Sequence, residues 1–190
     1  MKLFSFLITL PILKRLLPSL LRTIIIFIGK DQFQIKFKNL VLETNIRDPH
    51  DREIFFTQKY EELQFIEIFD CIKNNSVDVF MDVGANSGIY SLRLSNKFKD
   101  LIIFAFEPVN DTFQKFLKNI ENNNLGKNIN AHNFGLSNKE SKLNMKTNIK
   151  YGYKQSAGYH VSEDGDSVFE FKSAELISIL VNASVGFMTR

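Results

Sequence analysis

The segment best suited to chemistry is MDVGANSGIY, residues 81–90, at the predicted junction of a short apolar strand (77–83) and a helix that begins near Ser87. Gly84 and Gly88 permit positive φ and a close approach of the backbone to a ligand. Ligands of open α/β sheets bind beyond the carboxyl ends of the strands, and a helix N-terminus attracts anions. We therefore expect an anionic group to bind at this turn.

A second acidic residue ends the next predicted strand. LIIFAF (101–106) is followed by Glu107 and Pro108, 25 residues after Asp82. A carboxylate at the tip of the second strand can accept hydrogen bonds from both hydroxyls of a ribose. Together the two strand ends predict a nucleoside that carries an anionic arm.

Two cofactors meet that description, and the spacing of the turn helps to separate them. The dinucleotide motif G-x-G-x-x-G would need glycine where Asn86 stands, whereas the pattern here is D-x-G-x-x-x-G. The Asp82 carboxylate is unfavourable beside a pyrophosphate but suits the ammonium group of an amino acid. The pattern favours S-adenosylmethionine, and an NAD-linked oxidoreductase is the alternative.

The elements that must position these residues alternate along the chain. Apolar spacing predicts a helix at 59–73, the strand 77–83, a helix at 87–97, the strand 101–106, a helix capped by Asn110 and a strand at 129–134. Such short connections favour parallel pairing in a doubly wound α/β fold with a mostly parallel sheet. A small β-hairpin is predicted at 32–43, surface hairpins after Leu136, and a buried strand at 176–181.

The N-terminal segment, residues 1–30, is apolar and basic. It contains five cations and no acidic residue, and its leucines recur at near-helical spacing. Lys14, Arg15 and two prolines interrupt the apolar run, which argues against a membrane-spanning helix. We expect helices that either pack on the domain's own core or contact an anionic membrane surface.

Composition narrows the class of protein. The 190 residues suit one domain at 31–190, with its core at 59–141, after the N-terminal segment. A net charge of +3 gives no support for nucleic-acid binding. The single cysteine, Cys71, which we expect to be buried, favours a reducing, cytoplasmic location, peripheral to the membrane if the N-terminal segment binds it. The three histidines lack metal-ligand spacing, so no metal site is predicted.

Four segments in order resemble the FkbM family of S-adenosylmethionine-dependent methyltransferases. They are DPHDREIFFTQKYE (48–61), DVGANSGIYS (82–91), AFEPVNDTFQKFLKNIENNN (105–124) and HNFGLSNKE (132–140). The resemblance implies a Rossmann-like class I methyltransferase fold. It also implies methyl transfer, usually to an oxygen of a small-molecule or glycan acceptor, either a saccharide or another secondary metabolite.

The resemblance also implies roles for individual residues. The methionine moiety would be held by Asp82 and the backbone of Gly84, Ala85, Asn86 and Gly88, the ribose by Glu107 beside Pro108, and the adenine by Asn133 and Phe134. Simpler roles stay open: Asp82 as a helix cap, Glu107 as a solvated charge and Phe134 as a core residue. Glu61, beside Tyr60, is a weak catalytic candidate that the helix dipole could also explain.

The C-terminal part departs from the family. Members ordinarily carry an Asp-x-Glu-Gly type motif after the fourth strand, and nothing in 142–190 matches it. The catalytic base is therefore unassigned. We expect an incomplete sheet, weak cofactor binding by this chain, and, as a further alternative, an inactive or truncated methyltransferase-like fragment.

Overall fold

The computed structural model describes residues 13–150, 153–156, 158–165 and 167–173. The strand predicted at 176–181 lies outside these residues. Two compact units are present: the described residues of Met1–Glu62 and Ile149–Gln155 form the first, and those of Leu63–Asn148 and Ser156–Arg190 form the second. The predicted domain division at residue 30 stays a prediction.

The described residues form five helices and eleven strands, numbered here in chain order. The helices are α1 (Leu13–Phe27), α2 (Pro49–Thr57), α3 (Glu62–Asn75), α4 (Ile89–Lys97) and α5 (Asn110–Asn122). The strands are β1 (Gln32–Phe37), β2 (Leu40–Asn45), β3 (Val79–Val83), β4 (Ile102–Phe106), β5 (Ile129–His132), β6 (Gly135–Ser137), β7 (Ser141–Lys146), β8 (Ile149–Lys150), β9 (Tyr153–Lys154), β10 (His160–Val161) and β11 (Ser167–Ser173).

The first unit contains the predicted hairpin. β1 and β2 pair antiparallel around Lys38 and Asn39, whose φ values of 49° and 67° suit a type I′ turn. Asp48 then caps α2 by accepting hydrogen bonds from the backbone N–H groups of His50 and Asp51, at 2.9 and 3.3 Å. Turn and cap chemistry therefore define this region locally.

The second unit contains the predicted parallel sheet. β3, β4 and β5 lie side by side in that order, and both pairs are parallel. β4 is buried along its whole length, as its nearly continuous apolar sequence predicts. This mixed α/β unit is compatible with a Rossmann-like fold, while the finer class I methyltransferase features stay a prediction.

Two helices pack against this sheet. α4 packs against β4, and α5 packs against β5 through the face that contains Phe113, Phe116 and Ile120. α5 begins at Asn110, so the prediction that this residue caps the helix is wrong: Val109 occupies the cap position without a side-chain bond.

α3 lies beside α4. The guanidinium carbon of Arg93 sits 3.4 Å from the centre of the Phe65 ring, and the rings of Phe69 and Phe98 are 4.9 Å apart. Cys71 is exposed, which corrects our expectation of a buried thiol. The apolar face of α3 passes through Phe65 and Ile72 and leaves this position outside it.

A four-stranded sheet follows the parallel one, in the order β10-β7-β11-β6. β7 pairs antiparallel with β10 and β11, in keeping with the predicted hairpin character of the region after Leu136. The parallel pairing of β11 with β6 was not predicted. It depends on residues more than 30 positions apart, such as Phe171 beside Gly135, so no local pattern indicates it.

Among the described residues, no helix combines the length and apolar character needed to cross a membrane.

Candidate functional site

The two predicted acidic residues lie at the same edge of the parallel sheet. Asp82 pairs with Ala105 and Val83 with Phe106, and Glu107 follows directly after the end of β4. Burial raises the pKa of Glu107, and the nearby charge of Asp82 raises it further, so the two groups are electrostatic neighbours. The arrangement that the sequence analysis requires, with both carboxylates at one edge, is present.

The turn between β3 and α4 has an unusual backbone. Gly84, Asn86 and Gly88 have φ values of 77°, 52° and 81°. The backbone N–H groups of Gly84 and Ala85 both donate to the carbonyl oxygen of Phe106, at 2.9 and 3.0 Å. The turn is thereby attached to the end of the neighbouring strand.

The two glycines of the turn serve different purposes. A Cβ on Gly88 would collide with the ring of Phe116 on α5, so this glycine permits close packing of the helix. A Cβ on Gly84 would meet no atom within 4 Å. Gly84 is needed for its positive φ, and open space lies beside it.

The Asp82 carboxylate stabilises the start of α4. Its Oδ2 accepts a hydrogen bond of 2.6 Å from the Ser91 hydroxyl and a longer one, 3.3 Å, from the Ser91 backbone N–H. Burial raises the pKa of Asp82 above its ordinary value of 3.8, and the two Ser91 bonds offset part of that effect. The helix-capping role is thus observed, and it leaves lone pairs on the carboxylate for a cation.

The Glu107 carboxylate is 5% exposed and connects two loops. Oε2 accepts from the Asn86 backbone N–H at 2.9 Å, and Oε1 accepts from the Val109 backbone N–H at 2.8 Å. Burial raises the pKa of Glu107 above 4.5. The hydrogen bonds from Val109 and Asn86 lower the pKa in part, the charge of Asp82 raises it, and the charge of Lys115 lowers it. The simple alternative of a solvated strand-end charge is therefore wrong, because this carboxylate is buried and is bonded to backbone donors.

The residues predicted for the adenine follow β5. The Asn133 amide donates to the carbonyl oxygens of Glu107, at 2.8 Å, and Pro108, at 3.3 Å. Phe134 packs beside Phe106, with ring centres 5.5 Å apart, in an apolar cluster of β4 side chains. Asn133 holds the turn around Pro108, and an adenine contact for either residue stays a prediction.

Three polar residues at the site were missed by the sequence analysis. Ser91 is the partner of Asp82. The Asn119 side chain, fully buried on α5, donates a hydrogen bond of 3.0 Å to the carbonyl oxygen of Ser87. Ser156 accepts a long hydrogen bond, 3.4 Å, from the Asn86 side-chain amide. A signal existed for Asn119 alone, because it interrupts the apolar face of α5 between Phe116 and Ile120.

The weak catalytic candidate Glu61 belongs to the first unit. Its side chain is exposed, and its backbone has a φ of 43°, directly before α3 begins at Glu62. Its catalytic role stays a prediction.

Comparison with known proteins gives a partial match. No family model matches the chain, so membership of the FkbM family stays a prediction. The chain is 31% identical, over 93 residues, to a protein named Methyltransferase 1 from Beauveria bassiana (strain ARSEF 2860). The match covers 48% of this chain and only 33% of the relative, so this chain spans about a third of that protein. The similarity supports a methyltransferase.

Proposed function

We propose that this chain contains the cofactor-binding part of an S-adenosylmethionine-dependent methyltransferase. The observation that carries the proposal is the open space beside Gly84. It lies next to a turn that joins two neighbouring strand ends, one with the partly buried carboxylate of Asp82 and the other with the buried carboxylate of Glu107. The distant similarity to Methyltransferase 1 supports the same activity independently.

Charge explains how this edge of the sheet would select its ligand. Two neighbouring carboxylates in a partly buried site repel a pyrophosphate and attract a cation. Asp82 would hold the ammonium group of the methionine moiety while it also binds Ser91. This argument disfavours a dinucleotide at the same turn.

Glu107 retains the capacity to bind a ribose. Each of its carboxylate oxygens accepts one backbone N–H, from Asn86 or Val109, and each has a second lone pair. Those two bonds also fix the orientation of the carboxylate before a ligand arrives. A ribose diol would therefore meet an acceptor that is already positioned.

When bound, S-adenosylmethionine would supply a sulfonium methyl group for in-line transfer to an acceptor oxygen. A hydroxyl acceptor also needs a base within hydrogen-bond reach, and that base stays unassigned. The family resemblance proposes a saccharide or secondary-metabolite hydroxyl as the acceptor. A chain that binds the cofactor without turnover would fit the alternative of an inactive methyltransferase-like fragment.

Ligand-observed saturation-transfer NMR on the full chain tests the cofactor, because it detects weak binding. We expect S-adenosylmethionine to give a signal that S-adenosylhomocysteine displaces, and NAD to give none. The Asp82→Asn variant should lose the signal. Asp78→Asn, an exposed carboxylate before the opposite end of β3, is the matched control and should keep it. A signal for NAD alone, or equal signals from both variants, would refute the proposal.

A further inference from the structure

Helix α1 presents an apolar stripe to solvent. Leu20, Ile24, Phe27 and the following Ile28 are 60%, 46%, 90% and 68% exposed. Their spacing of i, i+4, i+7 and i+8 places them on one side of a helix. Four large apolar side chains in one exposed stripe are costly in water, so we expect the stripe to have a partner.

The other described apolar side chains of α1 are less exposed than the stripe. Leu21, Ile25 and Ile26 are all partly buried, in contrast to the stripe. Among the described side chains of α1, the stripe is therefore the apolar surface left most open to water.

Charge identifies the kind of partner. Residues 1–30 contain five cations and no acidic residue, whereas residues 31–190 contain the other 19 Lys and Arg and all 21 Asp and Glu. The positive net charge of the chain therefore resides entirely in the segment that includes the stripe. An apolar stripe within a purely cationic segment is complementary to a bilayer of anionic lipids, whose headgroups attract the cations while the acyl region takes up the apolar side chains.

We propose that α1 lies in the surface of an anionic membrane, with Leu20, Ile24, Phe27 and Ile28 inserted at the headgroup–acyl boundary. Lys30, exposed and just beyond the stripe, would contribute to the attraction of anionic headgroups. The inference does not depend on the proposed methyltransferase activity. A second copy of this chain is the competing occupant of the stripe, and the experiment distinguishes it.

Liposome flotation of the full chain tests the proposal. We expect flotation with phosphatidylcholine vesicles that contain about 30% phosphatidylserine, and little with phosphatidylcholine alone. Raising the salt from about 0.1 M to about 1 M shortens the Debye length from about 10 Å to about 3 Å and should reduce the bound fraction strongly.

Two double variants distinguish the stripe from exposed apolar side chains elsewhere in the protein. Phe27→Ser with Ile28→Ser should weaken partitioning at least about 100-fold, because two exposed apolar side chains no longer insert. Val161→Ser with Val168→Ser is the matched control, since these valines are 60% and 62% exposed in the second unit. It should float like the wild type.

Sedimentation velocity without lipid tests whether a second copy of this chain covers the stripe instead. We expect a monomer in both the wild type and the Phe27/Ile28 variant. Three results would overturn the proposal. The first is equal flotation of all variants, and the second is equal binding to neutral and anionic vesicles. The third is a wild-type dimer that becomes a monomer in the Phe27/Ile28 variant while flotation stays unchanged.

Discussion

The carboxyl groups of Asp82 and Glu107 each have a structural role as well as a proposed role in ligand binding. Each is partly or fully removed from water, and each accepts hydrogen bonds that fasten the glycine turn or the helix behind it. Burial raises the pKa of both groups, so each ionised form carries a desolvation cost. Such a cost at the end of a strand is typical of functional sites, where charge is held ready for a ligand.

The Asp82→Asn variant should separate stability from binding. The amide oxygen of the substituted side chain can still accept a bond from Ser91, and the desolvated charge is gone. At pH 7 we expect an unfolding free energy within about 1 kcal/mol of wild type, or higher, together with loss of the S-adenosylmethionine signal. Urea titration measures the stability. A loss of several kcal/mol would mean that the carboxylate is primarily structural.

The affinity for S-adenosylmethionine should rise with pH. The ammonium group of the ligand binds the ionised form of Asp82, whose raised pKa extends the protonated form to a higher pH than usual. Dissociation constants from saturation-transfer titrations at about pH 4 and pH 7 should therefore differ, with tighter binding at pH 7. A pH-independent affinity would exclude the ammonium–carboxylate contact.

Gly84→Ala and Gly88→Ala should differ in stability. Both positions have positive φ, which costs an alanine about 1–2 kcal/mol. Only Gly88 adds a collision with Phe116, worth about 1–3 kcal/mol more. Thermal and urea denaturation of the two variants measures the difference. Equal stabilities would contradict the close packing of Phe116 on this turn.

At the level of elements, α5 shapes the turn that belongs to β3 and α4. Phe116 packs against Gly88, and Asn119 bonds the Ser87 carbonyl oxygen. The geometry of the candidate site therefore depends on a helix that contributes no predicted ligand contact.

Replacing Asn119 by alanine should test that dependence. The change leaves the Ser87 carbonyl oxygen without this buried donor, and we expect a loss of about 1–3 kcal/mol in unfolding free energy. Gln114→Ala, on the exposed side of α5, is the control and should change stability by about 0.5 kcal/mol or less. Indistinguishable variants would show that the turn keeps its shape without α5.

At the scale of the whole molecule, titrating groups act on stability in opposite directions. The folded states of Asp82 and Glu107 bind protons more tightly than the unfolded chain does, so their contribution is greatest at low pH and is lost as pH rises through the raised pKa values. Asp164 is the reverse case: hydrogen bonds from Lys146 and Ser162 lower its pKa to about 2. Its contribution is present above 3.8 and is lost as pH falls through about 2.

The opposite effects of Asp82 and Asp164 on stability can be separated by comparing the unfolding free energy of each variant with that of the wild type at several pH values. Between about pH 3 and pH 7, the unfolding free energy of Asp82→Asn relative to wild type should rise. The unfolding free energy of Asp164→Asn relative to wild type should fall as pH rises at the acidic end of this range, because the wild type gains the Asp164 contribution there. Urea titrations at several pH values supply both curves. Parallel curves would contradict the burial of Asp82 as the cause of its raised pKa.

The sequence by itself determined the parts of this protein that depend on local patterns. The hairpin turn at Lys38 and Asn39, the alternation of β3, α4, β4, α5 and β5, and the D-x-G-x-x-x-G turn all follow from periodicity and backbone preferences over a few residues. Parallel connectivity then brought Asp82 and Glu107 to one edge of the sheet, since each ends a strand of the same sheet.

Only the tertiary structure decided how the individual residues at that edge are used. Glu107 bonds Asn86 from 21 positions away, and Asn119 bonds Ser87 from 32 positions away. The same approach of α5 gives Gly88 a packing role, and its predicted ligand contact stays a prediction. The exposure of the α1 stripe was decided in the same way, because an apolar helical face has the same sequence pattern whether the protein covers it or leaves it in water. Long-range packing determines such burial, and no local pattern encodes it.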